Sequence, residues 1–388
     1  MSYKLNAKIL QDLAAEHEEL VALLKTMCKI TAPSNHEEKR AEFCKQWLED
    51  MGAQGVYIDD ALNVIYPINC EGNKSVNIFS AHTDTVFPDT EPMPMREENG
   101  KLYCPGVGDD TASLATLMMA AKYITKHGYR PDQGLVLVCN SGEEGFGNLK
   151  GAKAFMEAYK GRVNTMVSFD GALDHFVNYA VGSTRYKIEI KTEGGHSFAK
   201  FGNKNAIAYM ASLIDTLYRV QVPKGGKTTY NVGAIHGGTS VNTIAQQVEM
   251  LFEYRSDVRE HLATMMDFFD SIITSYRKMG IEVNVEILGI RPCMGDMDKA
   301  AQAAFEKKLA DIMQLYNAGK VPTFESGSTD ANIPFSQGVT ACTVGVYTGG
   351  GAHTREEWVE LESLKVGYPF AMALILDGFR KNHSDLFE

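Results

Sequence analysis

The sequence predicts a layered α/β protein in which a mixed sheet, flanked by helices, is interrupted by a ferredoxin-like βαββαβ insert. Three observations carry this expectation. Short runs of branched and aromatic residues are apolar on consecutive positions, as in strands covered on both faces. Helical stretches alternate with those runs, which is the pattern of a layered sheet. The segment 184–292 follows a rhythm of its own.

In chain order, MSYKLNAKILQDLAAEHEELVALLKTM reads as a helix. Ser34 followed by Glu37 predicts a capping box, and Ala41, Cys44, Leu48 and Met51 then recur on one face of a second helix. Strands are expected at 56–59, 63–68, 76–80, 135–139, 166–169 and 342–347, and helices near 111–127, 147–160, 298–317 and 356–379. Within the insert the expected order is strand 185–191, helix 205–220, strand 228–235, strand 247–254, helix 262–279 and strand 283–288. That is the split βαβ plan. The expected organisation is therefore a catalytic domain over 1–183, a second domain over 184–292, and the remainder of the first over 293–388.

The composition narrows the partners. With 388 residues, 44% hydrophobic and 22% charged, the chain is long enough for two domains. A formal charge of -11 repels nucleic acid and anionic membrane surfaces at long range, so small solutes are the expected ligands. The N-terminus carries acidic residues throughout, so no signal peptide or membrane span is expected there. Seven scattered cysteines without a CxxC pair suit reduced thiols and a cytoplasmic location rather than metal ligation.

The chemistry lies where the strands end. Run 76–80 leads to His82 and Asp84, run 135–139 to Glu143 and Glu144, run 166–169 to Asp170, and run 342–347 through three glycines to His353. Asp109 and Asp110 follow a PGVG turn and open a helix. In open α/β sheets the ligand site lies beyond the carboxyl ends of the strands, so these groups are expected to share one cleft. Each has an ordinary explanation alone: a core histidine, a turn aspartate, a helix N-terminal acid pair, a solvated loop. Their joint arrival at strand ends is what points to a metal site. Five His and carboxylate arrivals overfill one catalytic zinc but suit two cations that share a bridging carboxylate and a water.

The runs AHTDTVFP (81–88), PGVGDD (105–110), SGEEGFG (141–147), FDG (169–171) and GGGAHT (349–354) resemble, in order and spacing, the co-catalytic zinc peptidase and deacylase family. That family includes peptidase T, glutamate carboxypeptidases, acetylornithine deacetylase and succinyl-diaminopimelate desuccinylase, and the peptidase T-like branch is the nearest in pattern. The resemblance spans nearly the whole chain and implies a zinc-peptidase-type sheet with a lid or dimerisation domain at 184–292. It implies two Zn2+, or Mn2+ or Co2+ in their place: His82, Asp109 and Asp170 on one, Asp109, Glu144 and His353 on the other, with Asp109 bridging and followed by a cis peptide bond. Asp84 then orients the first histidine, and Glu143 acts as general base toward a bridging hydroxide. In the insert, GGHS (194–197), GGTSVN (237–242) and YRSD (254–257) match motifs that imply substrate contacts from His196, Asn242 and Arg255, with His196 serving its own or a partner's site. GSTDAN (327–332) resembles a substrate-side loop. Thr111 departs from the Lys that many relatives carry after the Asp pair, while Asp170 in place of Glu leans toward aminopeptidases and di- or tripeptidases.

The implied activity is metal-dependent hydrolysis of short peptides. An N-acyl amino acid deacylase or desuccinylase, or a carboxypeptidase, is the alternative within the family, and an inactive peptide-binding relative the alternative outside enzymes. A nucleotide-binding fold is disfavoured, because GFGNLKG (145–151) has the wrong glycine spacing and KGGKTT (224–229) lacks the upstream glycine of a phosphate loop.

Overall fold

The run GLVLVCN forms strand Gly134–Asn140 and is buried at all seven positions, so it needs a neighbour on each edge and a layer on each face. In the computed structural model, which describes residues 2–388, the edge neighbours are Val76–His82, parallel, and Val64–Ile68, antiparallel. The whole sheet has eight strands in the order Tyr57–Ile58, Val64–Ile68, Gly134–Asn140, Val76–His82, Val163–Phe169, Thr340–Val344, His175–Ala180, Thr323–Gly327. Four of them, Val76–His82, Gly134–Asn140, Val163–Phe169 and Thr340–Val344, run parallel. Whatever follows each of these is delivered to the same edge.

Helix Ser113–His127 is buried at every position from Ser113 to Ile124, because helices His17–Cys28 and Leu364–Leu376 pack against it. A helix apolar nearly all round has to lie between layers. It ends at Gly128, whose φ of 62° is the left-handed cap that a side chain resists. All seven cysteines are free thiols. Among the described residues, no helix is long and apolar enough to cross a membrane.

Several expectations need correction. The N-terminal stretch is two helices, Ala7–Ala15 and His17–Cys28, separated at Glu16. Ser34 does not cap the next helix, Glu38–Asp50; its hydroxyl donates to Asp84 instead, at 2.7 Å. The stretch 356–379 is not one helix, since Trp358–Glu360 forms a strand before helix Leu364–Leu376 begins. That strand belongs to a small antiparallel sheet ordered Thr348–Gly350, Trp358–Glu360, Lys101–Tyr103, Arg96–Glu98. Arg96–Glu98 is exposed at all three positions, so backbone pairing alone defines it and no apolar pattern announces it.

By contact density the chain divides into two units, Met1–Tyr179 with Gly295–Glu388, and Ala180–Met294. The second comprises strands Gly182–Lys191, Thr228–Gly237, Gln247–Ser256 and Glu282–Arg291 and helices Ala206–Leu217 and Arg259–Lys278. Its sheet order is Thr228–Gly237, Gln247–Ser256, Gly182–Lys191, Glu282–Arg291, antiparallel throughout. Alternating residues of Gln247–Ser256 are buried, so one face meets the helices and the other meets water. The rings of Tyr186, Phe252 and Phe269 stack at its centre, and the unit has a core of its own.

One buried polar pair lies beneath the strand ends of the first unit. Asn140, last in its strand, donates through Nδ2 to Asp330 Oδ2 at 2.6 Å, and both residues are fully buried. Burial, and after it the charge of Glu143, pushes the Asp330 carboxyl up to about 8, so it is a neutral acid at pH 7. An acid that titrates near 4 when unfolded and about 8 when folded contributes stability that is complete below pH 4 and is lost as pH rises to 8. Between pH 5 and 8 the wild-type protein therefore loses stability relative to Asp330→Asn, by at most about 1.4 kcal/mol per pH unit. Thermal melts of both proteins across that range check this; a constant gap contradicts it.

Candidate active site

His82 is the last residue of its strand and is buried, with Nε2 3.0 Å from Asp109 Oδ1. Its Nδ1 lies 3.0 Å from the Asp84 carbonyl oxygen and 3.4 Å from Asp84 Oδ1. Donation from Nδ1 to Asp84 turns Nε2 toward Asp109, and Nε2 is the nitrogen that would ligate a metal once its own proton is lost. Asp84 does more than hold this ring. Its Oδ1 accepts the Glu143 N–H and its Oδ2 the Glu144 N–H, both at 2.9 Å, so one buried carboxylate fixes the histidine and the paired glutamates together. Burial opposes its charge, but His82, Ser34 and the Glu144 N–H hold its carboxyl below the usual range.

The PGVGDD turn brings Asp109 to the same place. Its Asp109–Asp110 peptide bond is cis. Gly108 packs on the Tyr347 ring so closely that a Cβ would sit 2.7 Å from the hydroxyl oxygen, and only glycine fits there. Asp110 accepts the His82 N–H at 2.9 Å. Thr111 donates to the Gly106 carbonyl at 2.6 Å and accepts from Arg40 at 3.3 Å. Arg40, buried, also donates to the Thr83 carbonyl, and thereby ties the His82 and Asp109 loops to one guanidinium. Neither Arg40 nor Glu357, whose carboxylate accepts three N–H groups of this turn, stands out in the sequence. Arg40 lies within a helix whose visible signal is apolar, and Glu357 within a stretch that reads as helix.

His353 follows three glycines and has a φ of 63°, a left-handed conformation uncommon outside glycine. Its Nε2 lies 3.1 Å from Asp109 Oδ2 and 3.0 Å from Glu144 Oε1. Asp170, just past Val163–Phe169, is positioned by its N–H donating to the Val344 carbonyl at 3.0 Å. The donor atoms of His82, Asp109 and Asp170 lie within 4.8 Å of one another, as do those of Asp109, Glu144 and His353. Glu143 joins His82 and Glu144 in a third such group. Burial, and then the charge of Asp109, pushes Asp170 well above the usual carboxylate range. Burial also raises Glu144, to about 7, with His353 opposing and Asp109 and Glu143 adding to the rise. Hydrogen bonds to Asp109 and Glu144 push His353 up to about 11. Crowded carboxylates between two imidazoles are a donor set that divalent cations of the first transition row fit in number and type.

The other three residues lie in the second unit. His196 accepts the N–H groups of Phe198 and Ala199 at Nδ1, both at 3.3 Å, so its proton is on Nε2. Asn242 accepts from Ser240 through Oδ1 at 2.9 Å, which leaves its NH2 as an outward donor. Arg255 forks onto Glu253 at 2.8 and 3.0 Å, so any substrate carboxylate has to compete with that pair.

The profile of peptidase family M20/M25/M40 matches residues 78–377. A succinyl-diaminopimelate desuccinylase of Methylobacillus flagellatus is 28% identical over 198 residues, which is 46% of this chain and 52% of that protein, so that match spans about half of each. A tripeptidase from Staphylococcus aureus has the same fold, with a TM-score of 0.74 at 21% identity over 94% of this chain and 99% of that one. So does the YXEP protein of Bacillus subtilis, a dinuclear metal binding peptidase, with a TM-score of 0.61 at 16% identity over 95% and 99%. The chain belongs to peptidase family M20/M25/M40, and is a hydrolase acting on amide or peptide bonds.

Proposed function

We propose that the chain hydrolyses short peptides with a free amino terminus, as an aminopeptidase-type di- or tripeptidase, using two divalent cations that share Asp109. The observation that carries this reading is the position of the Asp109 carboxylate, with Oδ1 toward His82 and Oδ2 toward His353, so that each oxygen serves a separate set of three donors. Zinc suits the mixed His and carboxylate donors, and manganese or cobalt would be accepted by the same set. Bound there, such cations would supply Lewis acidity, lowering the pKa of a water and polarising a substrate carbonyl.

The chain's own groups do the rest. Glu143, on the extended segment beside Glu144, takes the water proton and returns it to the leaving amine. Asp84 holds that segment and the His82 ring in register. His196, as an Nε2–H donor, stabilises the oxyanion, while Asn242 and Arg255 bind the substrate. The Ala180–Met294 unit acts as a lid and as the surface of a homodimer, and the protein works in the cytoplasm. The tripeptidase fold match and Asp170 favour peptides. The 28% identity to a desuccinylase favours an N-acyl amino acid deacylase as the second reading.

Glu143→Ala is expected to keep both cations and lose turnover by about 10^2- to 10^4-fold, as read by metal analysis and initial rates on the same sample. His82→Ala is expected to hold fewer than two equivalents of metal; unchanged content by elemental analysis contradicts the ligand assignment. A panel of dipeptides, tripeptides, C-terminal glutamyl peptides and N-acyl amino acids, assayed before and after chelation and zinc restoration, tests the substrate class. Di- or tripeptides are expected to be cleaved fastest, and a tenfold preference for N-acyl amino acids transfers the assignment to the deacylases.

A further inference from the structure

Glu357 is 2% exposed and has no cationic side chain among the groups that hold its carboxylate. Its Oε2 accepts the Gly106 N–H at 2.8 Å, and its Oε1 accepts the N–H of Gly108 at 2.9 Å and of Asp109 at 2.8 Å. Burying a carboxylate costs several kcal/mol unless it is well hydrogen-bonded, so three convergent N–H groups are a built anchor and not a chance contact. The anchor fastens the backbone of Asp109 itself. Its other end is fixed as well: the Glu357 carbonyl accepts the Cys104 N–H at 3.1 Å, and Trp358–Glu360 pairs with both Lys101–Tyr103 and Thr348–Gly350. Glu357 lies four residues after His353, on the segment that carries that imidazole.

We propose that Glu357 is a positioning residue for the second cation. By joining the backbone of the shared ligand to the segment of His353, it sets the spacing of Asp109 Oδ2 and His353 Nε2, 3.1 Å here, within which that cation would be held. The first set shares Asp109 but relies on the anchor less, because its other two ligands are held elsewhere: His82 by its own strand and by Asp84, and Asp170 by the Val344 carbonyl. The inference rests on the two-cation reading of the site.

The test is titration of metal-free wild-type protein and Glu357→Gln with Zn2+ against a competing chelator, together with amide hydrogen exchange of both. Glutamine keeps the shape but removes the charge and turns one acceptor into a donor facing an N–H. The first equivalent is expected to bind within threefold of wild type and the second at least tenfold more weakly, in the range seen when groups behind metal ligands are removed. At limiting zinc kcat falls with KM nearly unchanged, and added zinc restores part of it. Exchange is expected to accelerate in a peptide covering 104–112 while Gly134–Asn140 stays protected. Two equivalents bound by the variant with wild-type affinities overturn the proposal, as does faster exchange throughout the unit, which would make Glu357 a general support of the fold. Wild-type protein that takes up one cation or none overturns the two-cation reading, and this proposal with it.

Discussion

The first unit is organised around keeping negative charge in a place that repels it. Asp84, Asp109, Asp110, Glu143, Glu144 and Asp170 converge where four parallel strands end, in surroundings that are largely buried. Nothing in an apolar core tolerates this unless each carboxylate has a donor. The surrounding structure supplies them for four of the six: N–H groups of Glu143 and Glu144 for Asp84, the His82 N–H for Asp110, two imidazoles for Asp109 and that of His353 for Glu144 as well. The sheet supplies the convergence, and the loops supply the compensation.

That division explains what could be read from the sequence. Buried parallel strands are apolar on every position, so GLVLVCN and VNIFSAH announce themselves, and the residue after each run is placed by topology alone. The convergence of His82, Glu143, Glu144 and Asp170 was legible for that reason, while Asp109 and His353 arrive through the glycine turns before them. Legible too were the insert's strands, whose alternating burial has a period of two.

What escaped notice was defined by partners distant in sequence. Ser34 carries a capping pattern but donates to Asp84, 50 residues away, a competition that no local rule resolves. Arg40 and Glu357 act on backbone groups of loops 43 and about 250 residues distant, and such contacts leave no periodicity. Trp358–Glu360 was hidden because a strand of only three residues is recruited by the neighbours on its two sides, while its side chains continue to look helical.

The two-unit layout has a bearing on how the chain is made. Strands Gly182–Lys191 and Glu282–Arg291 lie side by side, with Ser183 opposite Arg291, so the second unit opens and closes at one point and is a contiguous length of chain. On a ribosome it can finish folding as soon as it emerges. The first unit has to wait, because strand Thr340–Val344, His353 and Glu357 are synthesised after it. Until then the edge of Val163–Phe169 that later pairs with Thr340–Val344 lacks its strand, and the acidic cluster lacks one of its two imidazoles. The order of synthesis therefore makes the acidic cluster one of the last parts of the molecule to be completed.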